Sequence, residues 1–311
     1  MKQAIRAVNG KGNIWREIKR KRNIYLFVFP AVVFYLLFHY YPMYFLQIAF
    51  RDFRITRAVG ASPWVGTKYF EQLFSSTGFW NAFWNTLIIS VEKLLCGFPL
   101  PILLALLLNE IRSERVKHIY QTVIYLPHFV SWVVISGILY NLTAMPEGLI
   151  NKVIVMLGGE ASVILGDKTL FQPILVLSEI WKETGWGTII YLAALTQISA
   201  DLYEAAKIDG ASRFQQMLHV TLPGIKDIVI VMLIMRVGNV LNVGFEQVMV
   251  LQNDMVLSVG DTLDTYVWRV GLQDGRYSYA TAAGLFKGIV AAVMIFAADR
   301  VSKSVGENGL L

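Results

Sequence analysis

Six predominantly apolar stretches of about 20 residues or more recur along this chain, at roughly 24–50, 83–108, 119–142, 171–198, 227–251 and 279–299, and nothing else in it restricts the fold so severely. Each is long enough to cross a hydrocarbon layer about 30 Å thick. A backbone amide or carbonyl left unpaired in lipid finds no water, so every crossing segment must be helical. The expected fold is therefore all-α, a polytopic bundle of six transmembrane helices. Composition agrees, with 55% hydrophobic and 16% charged residues and a mean hydropathy of +0.51, where soluble domains carry about 25% charged residues. By length alone 311 residues could form two soluble domains, but the repeated apolar runs favour a single bundle. The first run is too long for a signal peptide and lacks a small-residue cleavage site, so with its basic leader it is expected to remain as an anchor. The single cysteine, Cys96, excludes an intramolecular disulfide, and its apolar surroundings predict a buried packing residue.

Lys and Arg outside the spans predict orientation. With the N-terminus inside, 16 of the 28 basic residues fall on the cytoplasmic side, 8 fall outside and the remaining 4 lie within spans. This two-to-one bias places both termini in the cytoplasm of a bacterial cell, although Arg51, Arg54 and Arg57 lie on the disfavoured side. The resulting organisation is a basic cytoplasmic tail (1–23), a first span (24–50), an extracytoplasmic loop (51–82), a core of five spans (83–300) and a cytoplasmic tail (301–311). Most of the net charge of +6 comes from the first tail, beside a span, where anionic lipid headgroups explain it better than nucleic acid does.

Between the fourth and fifth spans lies a polar insert, 199–226. Its spacing predicts two short helices with a reversal at Gly210: Asp201 with Glu204, and Ser212 with Gln215, each stand at the capping-box distance. Pro223 marks entry to the next span, and Phe214, Met217 and Leu218 give the second helix an apolar side. Such helices could simply lie on the bilayer, whereas a DNA-binding helix-turn-helix fits poorly in a tethered loop whose basic residues are Lys207 and Arg213.

The run Glu204-Ala205-Ala206-Lys207-Ile208-Asp209-Gly210, continuing through Phe214 and His219 to Val220-Thr221-Leu222-Pro223, resembles the coupling loop of permease subunits in ATP-binding-cassette (ABC) importers, with Val220 where Ile is more usual. Phe83 to Asn109, Gly244-Phe245-Glu246-Gln247 and Tyr277-Ser278-Tyr279-Ala280-Thr281-Ala282 are similar to the carbohydrate branch, in particular to permeases for polysaccharide fragments. The resemblance implies a type I ABC importer permease fold with cytoplasmic coupling helices. It also implies that the chain is not an enzyme but half of a pore, paired with a second homologous permease, a homodimeric or heterodimeric cytoplasmic ATPase and an extracytoplasmic solute-binding protein. ATP and Mg would sit on the ATPase and no cofactor on this chain; the sequence contains no G-x-x-x-x-G-K-[ST] loop. Glu204 would contact the ATPase, Ala205 and Ala206 would permit close approach, Gly210 would make the turn, and Asp209, Leu222 and Pro223 complete the coupling set. Rigid-body alternation between inward and outward cavities would follow. Permeases for amino acids or peptides, and an ion-driven carrier, remain as alternatives.

Polar residues within spans are costly in lipid and mark interior faces. Arg236, Asn239, Asn242 and Glu246 are spaced to share one face of a continuous fifth span; Glu179, Lys182, Glu183 and Trp186 align on the fourth, and Asn85 and Glu92 on the second. Amides, acids and indoles suit sugar hydroxyls and the apolar face of a pyranose, so Glu92, Trp181, Glu183, Trp186, Arg236, Asn239, Asn242 and Glu246 are the candidate substrate pathway. Arg236, Lys182 and Lys287 would also suit an acidic sugar. Each has a plain structural alternative: Arg236 can pair with a neighbouring helix, Lys287 with an acid, and Lys182 with Glu179 or Glu183. The loops 51–82 and 143–170, with Asp254, Asp261, Asp264, Arg269 and Asp274, are either a docking surface for the binding protein or solvated loops. His39, His118, His128 and His219 show no metal-like clustering.

Overall fold

Apolar length becomes helix wherever a span was expected, but not always one straight helix. The computed structural model describes residues 21–304; both basic-tail residues 1–20 and the last residues, 305–311, lie outside the described part. Helix α1 spans Arg22–Phe50, α2 is Lys68–Phe74 and α3 is Thr77–Asn109. The third expected span is a pair, α4 (Glu114–Phe129) and α5 (Trp132–Thr143), bent by 95°. After α6 (Leu149–Met156) comes α7 (Phe171–Leu195), 25 residues long and hence about 37 Å. The insert holds α8 (Ala200–Ile208) and α9 (Arg213–Gly224), the latter bent by 59° from α10 (Lys226–Gly238). Helices α11 (Phe245–Leu251), α12 (Leu263–Trp268) and α13 (Tyr277–Ser304) complete the chain.

The fifth span departs from expectation. Residues 227–251 are not one helix: α10 stops at Gly238, the chain is irregular over 239–244, and α11 starts after Gly244 at φ +88°, a left-handed conformation open to glycine without steric penalty. Broken helices survive at membrane depth only where freed backbone groups find partners. Here α3 supplies them, because Ser90 Oγ donates to the Val240 carbonyl and Lys93 Nζ donates to the Val243 carbonyl at 2.6 Å. The Lys182 ammonium likewise bonds the His128 carbonyl at the α4–α5 elbow.

Three apolar clusters hold the bundle. At the end remote from the insert, Leu73, Phe79, Leu263, Tyr266, Val270 and Tyr279 join α2, α3, α12 and α13. At mid-depth Ile89, Phe171, Leu175, Val243, Val248 and Leu251 join α3, α7 and α11. At the insert end Ile102, Ala105, Leu106, Tyr191, Ala194, Leu195 and Ile225 join α3 and α7 to the root of α10, with Met217 of α9 packed against them. Helix α1 stands apart, with no buried residue between Arg22 and Tyr35, and joins the bundle through Ile48 and Ala49. Cys96 is exposed, not buried. In a membrane chain the exterior is apolar too, so an apolar neighbourhood does not imply burial.

The two loop regions are internally organised. Arg51 donates to the Gly60 and Ser62 carbonyls, Tyr69 donates to Asp52 at 2.7 Å, and Asn151 bonds Thr143, Ala144 and Ser162. The Tyr69 hydroxyl holds the Asp52 carboxyl below its usual range. The charges expected to face a docking partner divide: Asp254 and Asp274 are exposed, but Asp261 is buried against Arg269 and Asp264 pairs with Lys287. Instead of facing outward, Asp261 and Arg269 tie together the two ends of α12, and Asp264 with Lys287 braces α12 against α13.

Candidate functional site

Two cavities lie inside the bundle on either side of one ion-pair trio. The larger, about 200 Å³, extends toward the insert end and is lined by Phe98, Pro101, Glu183, Trp186, Tyr191 and Met232 among others. The smaller, about 60 Å³, lies toward the break in the fifth span and is lined by Ser90, Leu94, Asn239, Val240, Asn242 and Val243. Lys93, Glu179 and Arg236 line both. Glu179 bridges the two cations, touching Lys93 with one oxygen and Arg236 at 2.8 Å with the other.

The cations differ in setting. Lys93 is 5% exposed and also donates to Val243 O and Gln247 Oε1, so its three protons are matched by three acceptors. The Arg236 side chain is 48% exposed, and its ion partner among the described residues is Glu179. Beside the trio, His128 stacks on Trp186 with ring centroids 4.4 Å apart and planes 3° from parallel, and its Nδ1 lies 2.8 Å from Glu183. One face of the indole is thus fixed while the residue remains 44% exposed toward the larger cavity.

The structure sorts the expected pathway residues. Glu183 and Trp186 line the larger cavity, Asn239 and Asn242 the smaller, and Arg236 both. Asn242 accepts from Lys287 at 3.0 Å. Three others line neither cavity. Trp181 is exposed on the bundle exterior, and Glu246 is exposed on α11 because the break at 239–244 removes it from the face of Arg236. The Oε2 of Glu92 is shielded, with no hydrogen-bond partner among the described residues. Asn85 is structural, donating to Ser258 O and Asp261 O. The sequence reading missed Lys93, Gln247 and His128. An isolated lysine within an apolar run was a signal for the first; Gln247, which donates to Leu175 O and Ser178 Oγ, was marked only by its place in the run Gly244-Phe245-Glu246-Gln247.

The insert is built as expected, with one correction. Ser199, not Asp201, caps α8, its hydroxyl accepting from the Asp201 amide; Ser212 and Gln215 form the full capping box of α9. Gly210 turns the chain at φ +77°, where a side chain would be strained. Tyr203 OH lies 3.0 Å from Thr221 Oγ1 and ties α8 to α9. Glu204, Ala205, Asp209, Leu222 and Pro223 are exposed and Ala206 is half-buried. Leu202, Ile208, Phe214 and Leu218 present apolar surface that the described chain leaves uncovered. An open cleft of about 620 Å³ separates the insert from the end of α3, spanned by Arg213 and Glu110 at 3.4 Å. From the insert, Met217 and Ile225 join the apolar cluster that contains Tyr191, a residue that also walls the larger cavity. A packed apolar cluster therefore joins the insert to the wall of the larger cavity.

Comparison with known proteins agrees with this geometry. Over 302 residues the chain is 45% identical to Protein LplB of Bacillus subtilis (strain 168), covering 97% of this chain and 95% of that one. It is 44% identical over 306 residues to the polygalacturonan/rhamnogalacturonan transport system permease protein YteP of the same organism, covering 96% and 95%. In structure it superposes on a chain of the bacterial alginate ABC transporter in complex with an alginate pentasaccharide-bound periplasmic protein, with a TM-score of 0.88, 38% identity and coverage of 96% and 100%. Residues 97–306 match the profile of the binding-protein-dependent transport system inner membrane components, so the chain is a membrane transport subunit and belongs to that family.

Proposed function

We propose that this chain forms half of the translocation pathway of an ATP-driven importer for oligosaccharides cut from acidic polysaccharides. One observation carries this reading: near-complete superposition on an alginate importer chain, joined to an interior whose cavity walls hold two cations around one shared carboxylate. Alginate and polygalacturonan are both chains of uronic acids, and the relatives that carry those names share 38% and 44% of their residues with this protein.

The work divides as follows. A solute-binding protein delivers the sugar, a second permease supplies the other half of the pathway, and a cytoplasmic ATPase that holds ATP and Mg drives the cycle. Both termini lie in the cytoplasm, which sets the insert on that side. Glu204 faces the ATPase, Ala205 and Ala206 let it approach, and Asp209, Gly210, Leu222 and Pro223 keep α8 and α9 at a fixed angle. Motion of the insert passes through Met217 and Ile225 to α3 and α7. Cavities of about 200 and 60 Å³ fall below the 300–1,000 Å³ of ordinary ligand sites. An oligosaccharide therefore passes only when the helices part, as alternating access requires.

The test is native mass spectrometry of the complex purified on a tagged copy of this chain, followed by uptake in liposomes. A second permease, two ATPase copies and ATP-dependent uptake of a uronate oligosaccharide are the expected result. A lone chain or homodimer that transports along an ion gradient would sink the reading.

A further inference from the structure

The trio that separates the two cavities is not electrically balanced. Of the charged side chains lining the cavities, Glu183 is matched by Lys182 at 3.6 Å. Lys93 and Arg236 share the single carboxylate of Glu179, leaving one positive charge in excess. The nearby Lys287 does not change this, because Asp264 neutralises it. A bundle interior holds an unmatched charge poorly, and a passing anion is the natural complement.

From this imbalance we infer that Arg236 is the residue that receives a sugar carboxylate at the neck between the cavities, and that Glu179 is its resident stand-in. The asymmetry of the trio assigns the roles. Lys93 is buried and fully bonded, so it is fixed and holds Glu179 in place. Arg236 is half exposed, sits in the last turn of α10 next to the break, and faces both cavities. Glu179 occupies one side of its planar donor fork through a single hydrogen bond. The fork matches a carboxylate with two parallel bonds, so a uronate can join Glu179 on the guanidinium or displace it without leaving Glu179 unpaired. Lys93 retains that carboxylate, and the arriving charge cancels the excess. A neutral sugar offers no such exchange.

The inference rests on the acidic-oligosaccharide reading, and the experiment separates the two. The full importer is reconstituted in liposomes with saturating loaded binding protein, so that the rate reports transfer through the pore and not capture. Maximal uptake is measured for a uronate trisaccharide and for its carboxyl-reduced, neutral counterpart. Arg236→Gln is expected to lower the uronate-to-neutral ratio about tenfold, Arg236→Lys to lower it less, and Glu179→Gln to keep it at or above the wild-type ratio. A purely structural ion pair would change both sugars alike in every variant. An unchanged ratio in Arg236→Gln, with uronate still preferred by the wild type, overturns the inference alone. A fall in Glu179→Gln as large as that in Arg236→Gln overturns the stand-in role. Wild-type uptake of the neutral sugar only overturns the acidic-oligosaccharide reading and this inference with it.

Discussion

The neck of the bundle and the insert at its end solve opposite problems with similar residues. At the neck, Lys93, Glu179, Gln247 and the freed carbonyl of Val243 satisfy one another with little exposure. At the insert, Glu204, Asp209, Ile208 and Phe214 are left open, and its internal bonds fix only its shape. A polar group at the neck is therefore chiefly a matter of folding and selectivity, whereas one on the insert is a matter of partnership. Removing the first should unfold; removing the second should disconnect.

The sharpest contrast is expected from the insert. Glu204→Lys and Gly210→Pro should reduce uptake to background and prevent capture of the ATPase, while the chain still inserts and runs as a monodisperse species in detergent. Proline fixes φ near −65° and cannot adopt the +77° of Gly210. Normal uptake by either variant would break the coupling assignment.

Lys93→Met should do the reverse. Removing one partner of a buried pair typically costs about 3–5 kcal/mol, and the lower end is expected because Glu179 keeps Arg236. The thermal unfolding midpoint in detergent reads this, with Lys152→Ala as the control. The Lys152–Glu147 pair is 60% and 82% exposed, and loss of such a surface pair costs at most about 1 kcal/mol. Equal shifts would mean that the neck is no more tightly held than the surface.

A smaller effect belongs to Ser212→Ala, which removes half of the capping box and should cost about 1 kcal/mol of local helix stability. Faster amide exchange confined to 213–217 is the measurement; protection unchanged from wild type would show that packing alone holds α9.

The smallest is pH-dependent. The folded-state pKa of Asp52 lies below its usual 3.8, chiefly through the Tyr69 hydroxyl. Its contribution is therefore fully present above 3.8 and is lost as pH falls through the lower folded value. Tyr69→Phe should lower the unfolding midpoint slightly at neutral pH, and the difference from wild type should close in acid. A gap that widens as pH falls would reverse the sign.

Legibility in the sequence followed the range of each interaction. The helix-turn-helix of the insert was readable because Ser212 and Gln215 cap each other three residues apart and Gly210 reverses the chain without distant help. Even there the cap of α8 was misplaced by two residues, since Ser199 and Asp201 are both capping types and the first backbone bond decides between them. The break at 239–244 was missed because Asn239 and Asn242 fit a helical face in projection. What stabilises the break is Ser90 and Lys93, about 150 residues earlier in the chain.

The sequence by itself determined that the chain is a bundle of membrane helices and that one polar insert is a preformed pair of short helices. Apolar length and local capping act over a few residues and need no fold to be read. Only the tertiary structure decided which intramembrane charges meet. It placed Lys93 rather than Glu92 at the neck, because packing decides which face of the unbroken α3 turns inward, and Gln247 rather than Glu246, because the break at 239–244 rotates every later side chain to a new face. Where Glu179 lies between two cations, the balance of charge is set by which helices pack together, and no spacing within one helix records it.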